Sequence, residues 1–300
     1  MKCFYHSADL DGHCAGAIVR MRYWDCEMIG IDYGQPFPWE RIEPGEQVFM
    51  VDFSLQPFID MVRLAGMCNL IWIDHHKSAI DESQKVLTFF QGIRNNEKAG
   101  CELTWAYLYP SADMPMAVRL LGRYDVWDHQ DPAILPFQYG FRTKSTDPAS
   151  RDAMQEIWSG FLLPGDTAKW LCWDVVDAGR KILAPIRSGN EKLCKVGAFD
   201  AEIDGLKVVA INKLIGSFQV FESVWDPARY HAMCCFGRRA DGKWTVSLYS
   251  TRPDVDVSEI CKARGGGGHK GAAGFQTLYL IPELGGYVGE AALALAPDVE

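Results

Sequence analysis

Acids and histidines follow three apolar runs of this chain, at the points where the runs stop. They are His6, Asp9 and Asp11 after residues 3–5, Asp52 after residues 47–51, and Asp74, His75 and His76 after residues 69–73. Carboxylates crowded together raise their own proton affinity unless a cation neutralises them. The pattern therefore predicts a metal site with carboxylate and imidazole ligands, a mixture that favours Mn²⁺, Fe²⁺ or Co²⁺ over Ca²⁺ or a thiolate zinc site.

The apolar runs that precede these groups have the length and composition of buried strands. Residues 27–31 form another such run, residues 13–23 and 54–65 have features of helices, and residues 86–90 are predicted as a fifth strand. Strands that alternate with helices indicate an α/β fold with a doubly wound, mainly parallel sheet, whose ligands lie at the carboxyl ends of the strands. Groups far apart in sequence can therefore converge there.

The chain after residue 98 has a different pattern. Residues 99–107 and 114–122 are predicted helices, and the latter ends in Arg123-Tyr124-Asp125-Val126-Trp127-Asp128. Hairpin signals at residues 201–212 and 231–250 precede a short helix, a glycine run and a last strand. We therefore predict a metal-binding domain at 1–140, a mostly helical linker at 141–190, and a smaller α/β domain with a mixed sheet at 191–300.

The composition narrows the class of protein. The formal charge of the 300 residues is -9, which disfavours a surface for long nucleic acid but leaves a pocket for a small anionic substrate open. Ten scattered cysteines without a Cys-x-x-Cys pair are expected to be reduced, buried thiols. No apolar run is long enough for a signal sequence or a membrane span, so we expect a cytoplasmic protein without membrane contact.

Five motifs taken together resemble a known family. They are His6-x-x-Asp9-x-Asp11-Gly12, Val51-Asp52-Phe53-Ser54, Asp74-His75-His76, the segment around Asp125, and Gly265-Gly266-Gly267-Gly268-His269-x-x-Ala272-Ala273-Gly274. In this order they resemble the DHH superfamily of phosphoesterases with its DHH-associated C-terminal domain, in particular the nanoRNase-like branch. The resemblance extends over nearly the whole chain.

The resemblance implies two divalent metal ions, with Mn²⁺ expected and Fe²⁺, Co²⁺ or Mg²⁺ as alternatives. One ion would be held by His6, Asp9 and Asp52, and the other by Asp11, Asp52, His75 and Asp125. Asp128 competes with Asp125 as the ligand from the fourth motif. His76 is expected next to the scissile phosphate, and Asp74 is expected to orient a histidine.

The resemblance also implies an activity. The expected enzyme is an exonuclease-like hydrolase that cleaves short oligoribonucleotides or small nucleotides to 5′-mononucleotides, with a hydroxide activated by the metals. The substrate would contact Arg252, Gly266, Gly267, Gly268 and His269. Alternatives are a cyclic nucleotide or cyclic dinucleotide phosphodiesterase, a 3′-phosphoadenosine phosphatase and a non-catalytic nucleotide-binding protein. The sequence leaves the oligomeric state open between a monomer and a homodimer.

Overall fold

The structure, a computed structural model, describes residues 1–128, 130–163 and 165–285. The chain divides into two compact units, Met1–Leu183 and Ala184–Glu300. The division falls within the segment predicted as a helical linker. Residues 286–300 of the predicted C-terminal domain lie outside the described residues.

The first unit contains a parallel four-stranded sheet in the order β2-β1-β3-β4. Its strands are β1 (Lys2–His6), β2 (Glu27–Ile31), β3 (Gln47–Val51) and β4 (Asn69–Ile73). In the register of the sheet, Tyr5 lies beside Val51, and Val51 lies beside Ile73. The residues that follow these three positions, His6, Asp52 and Asp74, therefore lie at the same edge.

The helices of the first unit include some that pack on each face of this sheet, and the last of them continues into the second unit. They are α1 (Leu10–Arg22), α2 (Ile59–Met67), α3 (Lys77–Ser83), α4 (Gly100–Leu108), α5 (Met116–Asp125), α6 (Ile134–Phe141), α7 (Ser159–Phe161) and α8 (Asp166–Gly197), with a 3₁₀-helix at Trp39–Arg41 and a π-helix at Ala153–Trp158.

The core forms on the two faces because successive strand residues point in opposite directions. Phe4, Met50 and Trp72 pack into one core, whereas Tyr5 and Val51 pack into the other. Apolar strands with two covered faces are typical of a doubly wound sheet, so the predicted fold class is confirmed for this unit.

The predicted fifth strand at residues 86–90 is wrong. Leu87 and Phe89 are exposed there, and only isolated bridges follow, from Gln91 to Ile71 and from Arg94 to Asp74. Gly92 lies between the two bridges with a φ of 118°, a conformation that interrupts a regular ladder. An apolar run alone could not reveal this interruption.

The second unit contains a mixed six-stranded sheet in the order β5-β6-β7-β8-β10-β9. Its elements are β5 (Phe199–Ile203), β6 (Leu206–Asn212), β7 (Ala232–Arg238), β8 (Trp244–Tyr249), α9 (Val257–Ala263), β9 (Gly267–His269) and β10 (Ala272–Thr277), with 3₁₀-helices at Phe218–Phe221 and Pro282–Leu284. Strands β5 and β6 pair antiparallel, as do β7 and β8, while β6 and β7 pair parallel. Both predicted hairpins and the mixed sheet are confirmed.

Two expectations from composition can also be compared with the structure. All ten cysteines are free and buried, as predicted. Within the part of the chain that the structure describes, no helix combines the length and the apolar character that a membrane crossing needs.

Candidate metal centre

The candidate metal centre lies where β1 and β3 end side by side. After β1 the chain adds β2 at one side of the sheet, whereas after β3 it adds β4 at the other side. Ligands of doubly wound proteins bind at this switch in strand order. Asp52 occupies the point directly after β3, is 1% exposed and has a φ of 55°. A non-glycine residue in this region is uncommon, and strain of this kind is concentrated at functional sites.

His6, Asp9 and Asp52 form the first group of candidate ligands. The His6 Nδ1 atom lies 2.8 Å from Asp9 Oδ2 and 3.6 Å from Asp52 Oδ2. The other carboxylate oxygen of Asp9 accepts a hydrogen bond from the Gly12 N–H and caps the start of α1. The helix thus fixes Asp9 with one oxygen turned toward His6.

Asp11, His75 and Asp125 form the second group. The His75 Nε2 atom lies 3.2 Å from Asp125 Oδ2, 3.8 Å from Asp11 Oδ2 and 3.2 Å from Asp52 Oδ1. Asp52 therefore contacts both groups, one through each carboxylate oxygen. This position is the one that a shared ligand between two ions would occupy.

The start of α4 holds Asp11 in place. The backbone N–H groups of Gly100 and Cys101 donate to the two oxygens of Asp11, at 2.7 and 2.9 Å. A Cβ atom on Gly100 would lie 2.6 Å from the Asp52 Cβ, so only glycine allows α4 to approach this closely. No sequence motif indicated this contact, because it joins residues far apart in the chain.

An ion pair between α4 and α5 positions Asp125. The Arg123 Nε donates to Glu102 Oε1 at 3.1 Å, and Glu102 also accepts from the Ala99 N–H. Asp125 ends α5 close to His75, whereas Asp128 lies 3.7 Å from the Arg123 Nη1. Of the two candidates in the fourth motif, the structure brings Asp125 to the centre.

Asp74 orients His76. Asp74 is fully buried, and its Oδ1 accepts from the His76 Nδ1 at 2.7 Å and from the His75 backbone N–H at 2.7 Å. The Trp72 Nε1 donates to its second oxygen. One ring nitrogen of His76 lies within 4.8 Å of ligand atoms of Asp52 and His75. Asp74 itself contacts the ring of His76 and not that of His75.

The pKa values of the centre show how strongly these groups depend on one another. Burial lowers the pKa of His6, but Asp52 and Asp9 outweigh it and raise the pKa to about 11. In the same way, Asp52 and the other acids raise the pKa of His75 to about 10 against the effect of burial. Burial also tends to raise the pKa of Asp52, but His6 and His75 hold it well below its usual range.

The remaining acids shift in the opposite direction. Burial, together with the charge of Asp52, raises the pKa of Asp125 to about 7 and that of Asp11 well above its usual range. Asp125 also ends a helix, where the helix dipole disfavours a negative charge. The positive charges of His6 and His75 are therefore too few to keep all the carboxylates of the centre ionised.

Two buried atoms of the centre lack a hydrogen bond. His6 Nδ1 and Asp52 Oδ1 find no hydrogen-bond partner in the described part of the chain, although polar atoms lie close to both. An unpaired buried polar atom is unfavourable by about 1–3 kcal/mol. Both atoms belong to the groups that could hold a metal ion, so the residues fit the two divalent ions that the resemblance implies.

Two neighbours of the centre were not predicted as site residues. The Asp32 Oδ1, directly after β2, lies 3.3 Å from the His6 Nε2 and orients the ring from the side away from Asp52. The Tyr33 ring lies 6.1 Å from the His76 ring, and it also contacts Phe53. The position of Asp32 at a strand end was the available signal, since it matches that of Asp52.

The predicted substrate residues belong to the second unit, where Arg252 is already engaged. Its guanidinium makes a bidentate ion pair with Asp254, and its Nη1 donates to the Pro227 carbonyl at 2.9 Å. His269 ends β9 opposite Ala272 and is exposed. The structure thus places Arg252 in a loop that it helps to fix.

The glycine run is an edge strand and not an open loop. Gly267 to His269 pair antiparallel with β10. A Cβ on Gly266 would lie 2.1 Å from the Gly274 carbonyl oxygen, and one on Gly268 would lie 2.5 Å from that of Ala272. Gly268 also has a φ of 140°. Packing therefore explains these two glycines, whereas a Cβ on Gly267 would meet no described atom within 4 Å.

Comparisons of the sequence with known proteins do not identify a family. No family model matches the sequence. An uncharacterized protein of Acanthamoeba polyphaga mimivirus is 27% identical over 246 residues, 76% of this chain. The chain spans about half (52%) of the length of this curated relative.

Two solved structures resemble this chain, and one of them is similar enough to show the fold. The DHH domain of a protein described as a member of a ribosomal protein family matches with a TM-score of 0.54 and 14% identity, over 91% of this chain and 81% of that one. A pGpG-specific phosphodiesterase from Vibrio cholerae is 11% identical, with a TM-score of 0.45 over 92% of both chains. The first of these matches shows that this chain has the DHH-domain fold, as its motifs predict.

Proposed function

We propose that this protein is a phosphodiesterase that uses two divalent metal ions, with Mn²⁺ as the preferred ion, to cleave short oligoribonucleotides to 5′-mononucleotides. One observation carries the proposal: Asp52 contacts two ligand groups, and its buried Oδ1 has no hydrogen-bond partner among the described residues. Paired divalent ions are typical of enzymes that hydrolyse phosphate esters. A site with four carboxylates and two imidazoles has little use in a protein that only binds a nucleotide.

The ligand set also fits an anionic substrate. Asp9, Asp11, Asp52 and Asp125 contribute a charge of -4 when ionised, which two dications balance. The ions would supply Lewis acidity at the phosphoryl oxygens and lower the pKa of water. The centre is then neutral, so a phosphate can enter without repulsion from the carboxylates.

His76 is positioned to contact the phosphate. Burial lowers the pKa of His76, but the hydrogen bond and charge of Asp74 outweigh it and raise that pKa. Because the Nδ1–H of His76 donates to Asp74, the second proton of the imidazolium form is carried by Nε2. That proton can be donated to a phosphoryl oxygen, where negative charge increases during hydrolysis.

In the second unit, we assign contact with the terminal nucleotide to Gly267 and His269. Gly267 leaves open space above the backbone, which allows a base or phosphate to approach closely. Arg252 remains a candidate for a phosphate contact, although it would have to share its donors with Asp254.

A panel of substrates tests the proposal. The purified protein would be incubated with Mn²⁺ and a dinucleotide, a long RNA, a cyclic nucleotide, a cyclic dinucleotide, 3′-phosphoadenosine 5′-phosphate or pyrophosphate, and products would be separated by chromatography. We expect the dinucleotide to be cleaved fastest, with a 5′-mononucleotide as product. Faster cleavage of another member would reassign the substrate, and no cleavage of any member would contradict the enzymatic function.

A further inference from the structure

A cavity of about 310 Å³ adjoins the candidate metal centre in the first unit. Asp9 contributes to its wall and also belongs to the group of His6, Asp9 and Asp52. The wall also carries Arg142 and Lys144, from the segment that follows α6. The wall of the cavity thus combines a candidate metal ligand with two cationic side chains.

Arg142 and Lys144 are available to bind an anion. Arg142 contacts the rings of Tyr124 and Tyr139, and Lys144 contacts the ring of Phe161. Within the described chain neither makes an ion pair, although the protein carries an excess of acids. Aromatic contacts hold a cation in place without using its N–H donors, so both groups can still donate to a ligand.

Asp9 does not neutralise the two cations. Its Oδ1 accepts from the Gly12 N–H, and its Oδ2 is turned to His6. Its charge is therefore directed to the candidate metal centre, and it makes no ion pair with Arg142 or Lys144 among the described residues.

Hydrogen bonds hold the other residues of the cavity wall in place. The His13 Nε2 donates to the Ser7 carbonyl at 3.1 Å, and the His13 Nδ1 lies 2.8 Å from the Thr146 hydroxyl. The Trp158 Nε1 donates to the Thr146 carbonyl at 2.8 Å. The loop with the two cations is therefore fastened to the body of the unit, and the cavity is formed before any ligand binds.

We propose that this cavity binds a second phosphate of the substrate, next to the phosphodiester that is cleaved. This inference rests on the proposed function and sharpens it. A bound phosphate would receive charge-assisted hydrogen bonds from Arg142 and Lys144. The enzyme would then prefer an oligonucleotide with two adjacent phosphates over a dinucleoside with one.

Three substrates and one double variant test the preference. ApA has a single phosphate, whereas pApA and ApApA each have two. We expect the wild type to cleave at least one of the latter with a KM about tenfold or more below that for ApA. In R142A/K144A this advantage should largely disappear, because the KM for pApA and ApApA should rise about tenfold more than the KM for ApA.

Two control variants separate binding from folding and from overall charge. R142K/K144R keeps both charges and should restore most of the preference. R180A/K181A removes two positive charges from exposed positions on α8 and should leave the KM values unchanged. An equal loss of activity on all three substrates, or no change in R142A/K144A, would overturn the inference.

A binding measurement separates the failure of this inference from that of the proposed function. If the wild type cleaves none of the three substrates, the phosphodiesterase proposal has failed. Titration of the Mn²⁺-loaded protein with inorganic pyrophosphate then still tests the cavity. About tenfold weaker binding by R142A/K144A than by wild type supports an anion site, and equal binding rejects it.

Discussion

The metal centre at the ends of β1, β3 and β4 and the glycine run at β9 were both predicted from sequence motifs, yet the two differ in the structure. At the candidate metal centre, six predicted ligands converge, and four of them, His6, Asp11, Asp52 and His75, are buried. In the glycine run, Gly266 and Gly268 have a packing role that accounts for them. Buried charges indicate function more reliably than glycines, because an uncompensated buried charge is far more unfavourable than a missing side chain.

The largest effect is expected at Asp52. Asp52→Asn keeps the size of the side chain and suits the positive φ, but it removes the charge shared by the two ligand groups. We expect kcat for a dinucleotide to fall about 1,000-fold or more with the fold retained. Steady-state kinetics and circular dichroism would check this, with Asp113→Asn at an exposed position as the control. Turnover at the wild-type rate would refute the central role of Asp52.

A smaller effect is expected at Gly100, which carries no charge. In Gly100→Ala the new Cβ would lie 2.7 Å from the Asp52 Oδ1 and would displace the carboxylate. A displacement of this kind reduces turnover by about 100-fold. Gly66→Ala is the matched control, because a Cβ there meets no described atom within 4 Å and the residue also lies in a helix. Similar kinetics for the two variants would show that α4 does not position Asp52.

Metal binding should depend on pH at this centre. His6 and His75, with pKa values near 11 and 10, hold protons at neutral pH, and Asp125, with a pKa of about 7, is partly protonated. A metal ion must displace these protons, so lower pH favours the metal-free protein. We expect the affinity for Mn²⁺ to rise about tenfold or more for each pH unit between about 6 and 8. Calorimetry in buffers of different ionisation enthalpy would detect the released protons, and an affinity independent of pH would argue against these ligands.

The smallest effects are expected in the glycine run, where Gly268 and Gly267 should respond differently to the same substitution. Gly268→Ala combines a steric clash with a positive φ, so the free energy of unfolding should fall by about 1–3 kcal/mol. Gly267→Ala should leave the stability unchanged and raise only the KM, by about threefold to tenfold, if substrate approaches there. Denaturant titration and kinetics of both variants would show whether the run is structural, functional or both. An unchanged KM in Gly267→Ala would show that substrate does not approach Gly267, and the glycine run would then have a structural role alone.

The sequence was sufficient to predict the parallel sheet and the acids and histidines that gather at its edge, because strands that end in acids are visible in a single chain. It did not reveal the contacts that hold those ligands. Gly100 touches Asp52, and Glu102 anchors Arg123, only after α4 and α5 have packed. The pairing of Gly268 with Ala273 was equally hidden, since local composition suggests a loop and the partner strand decides otherwise.

The central claim is that two metal ions share Asp52. Diffraction from crystals grown with Mn²⁺, recorded at the manganese absorption edge, tests this most directly. We predict two anomalous peaks, one among His6, Asp9 and Asp52 and the other among Asp11, His75 and Asp125. Peaks located away from these residues, or a crystal of the Mn²⁺-treated protein with no peak at Asp52, would contradict it.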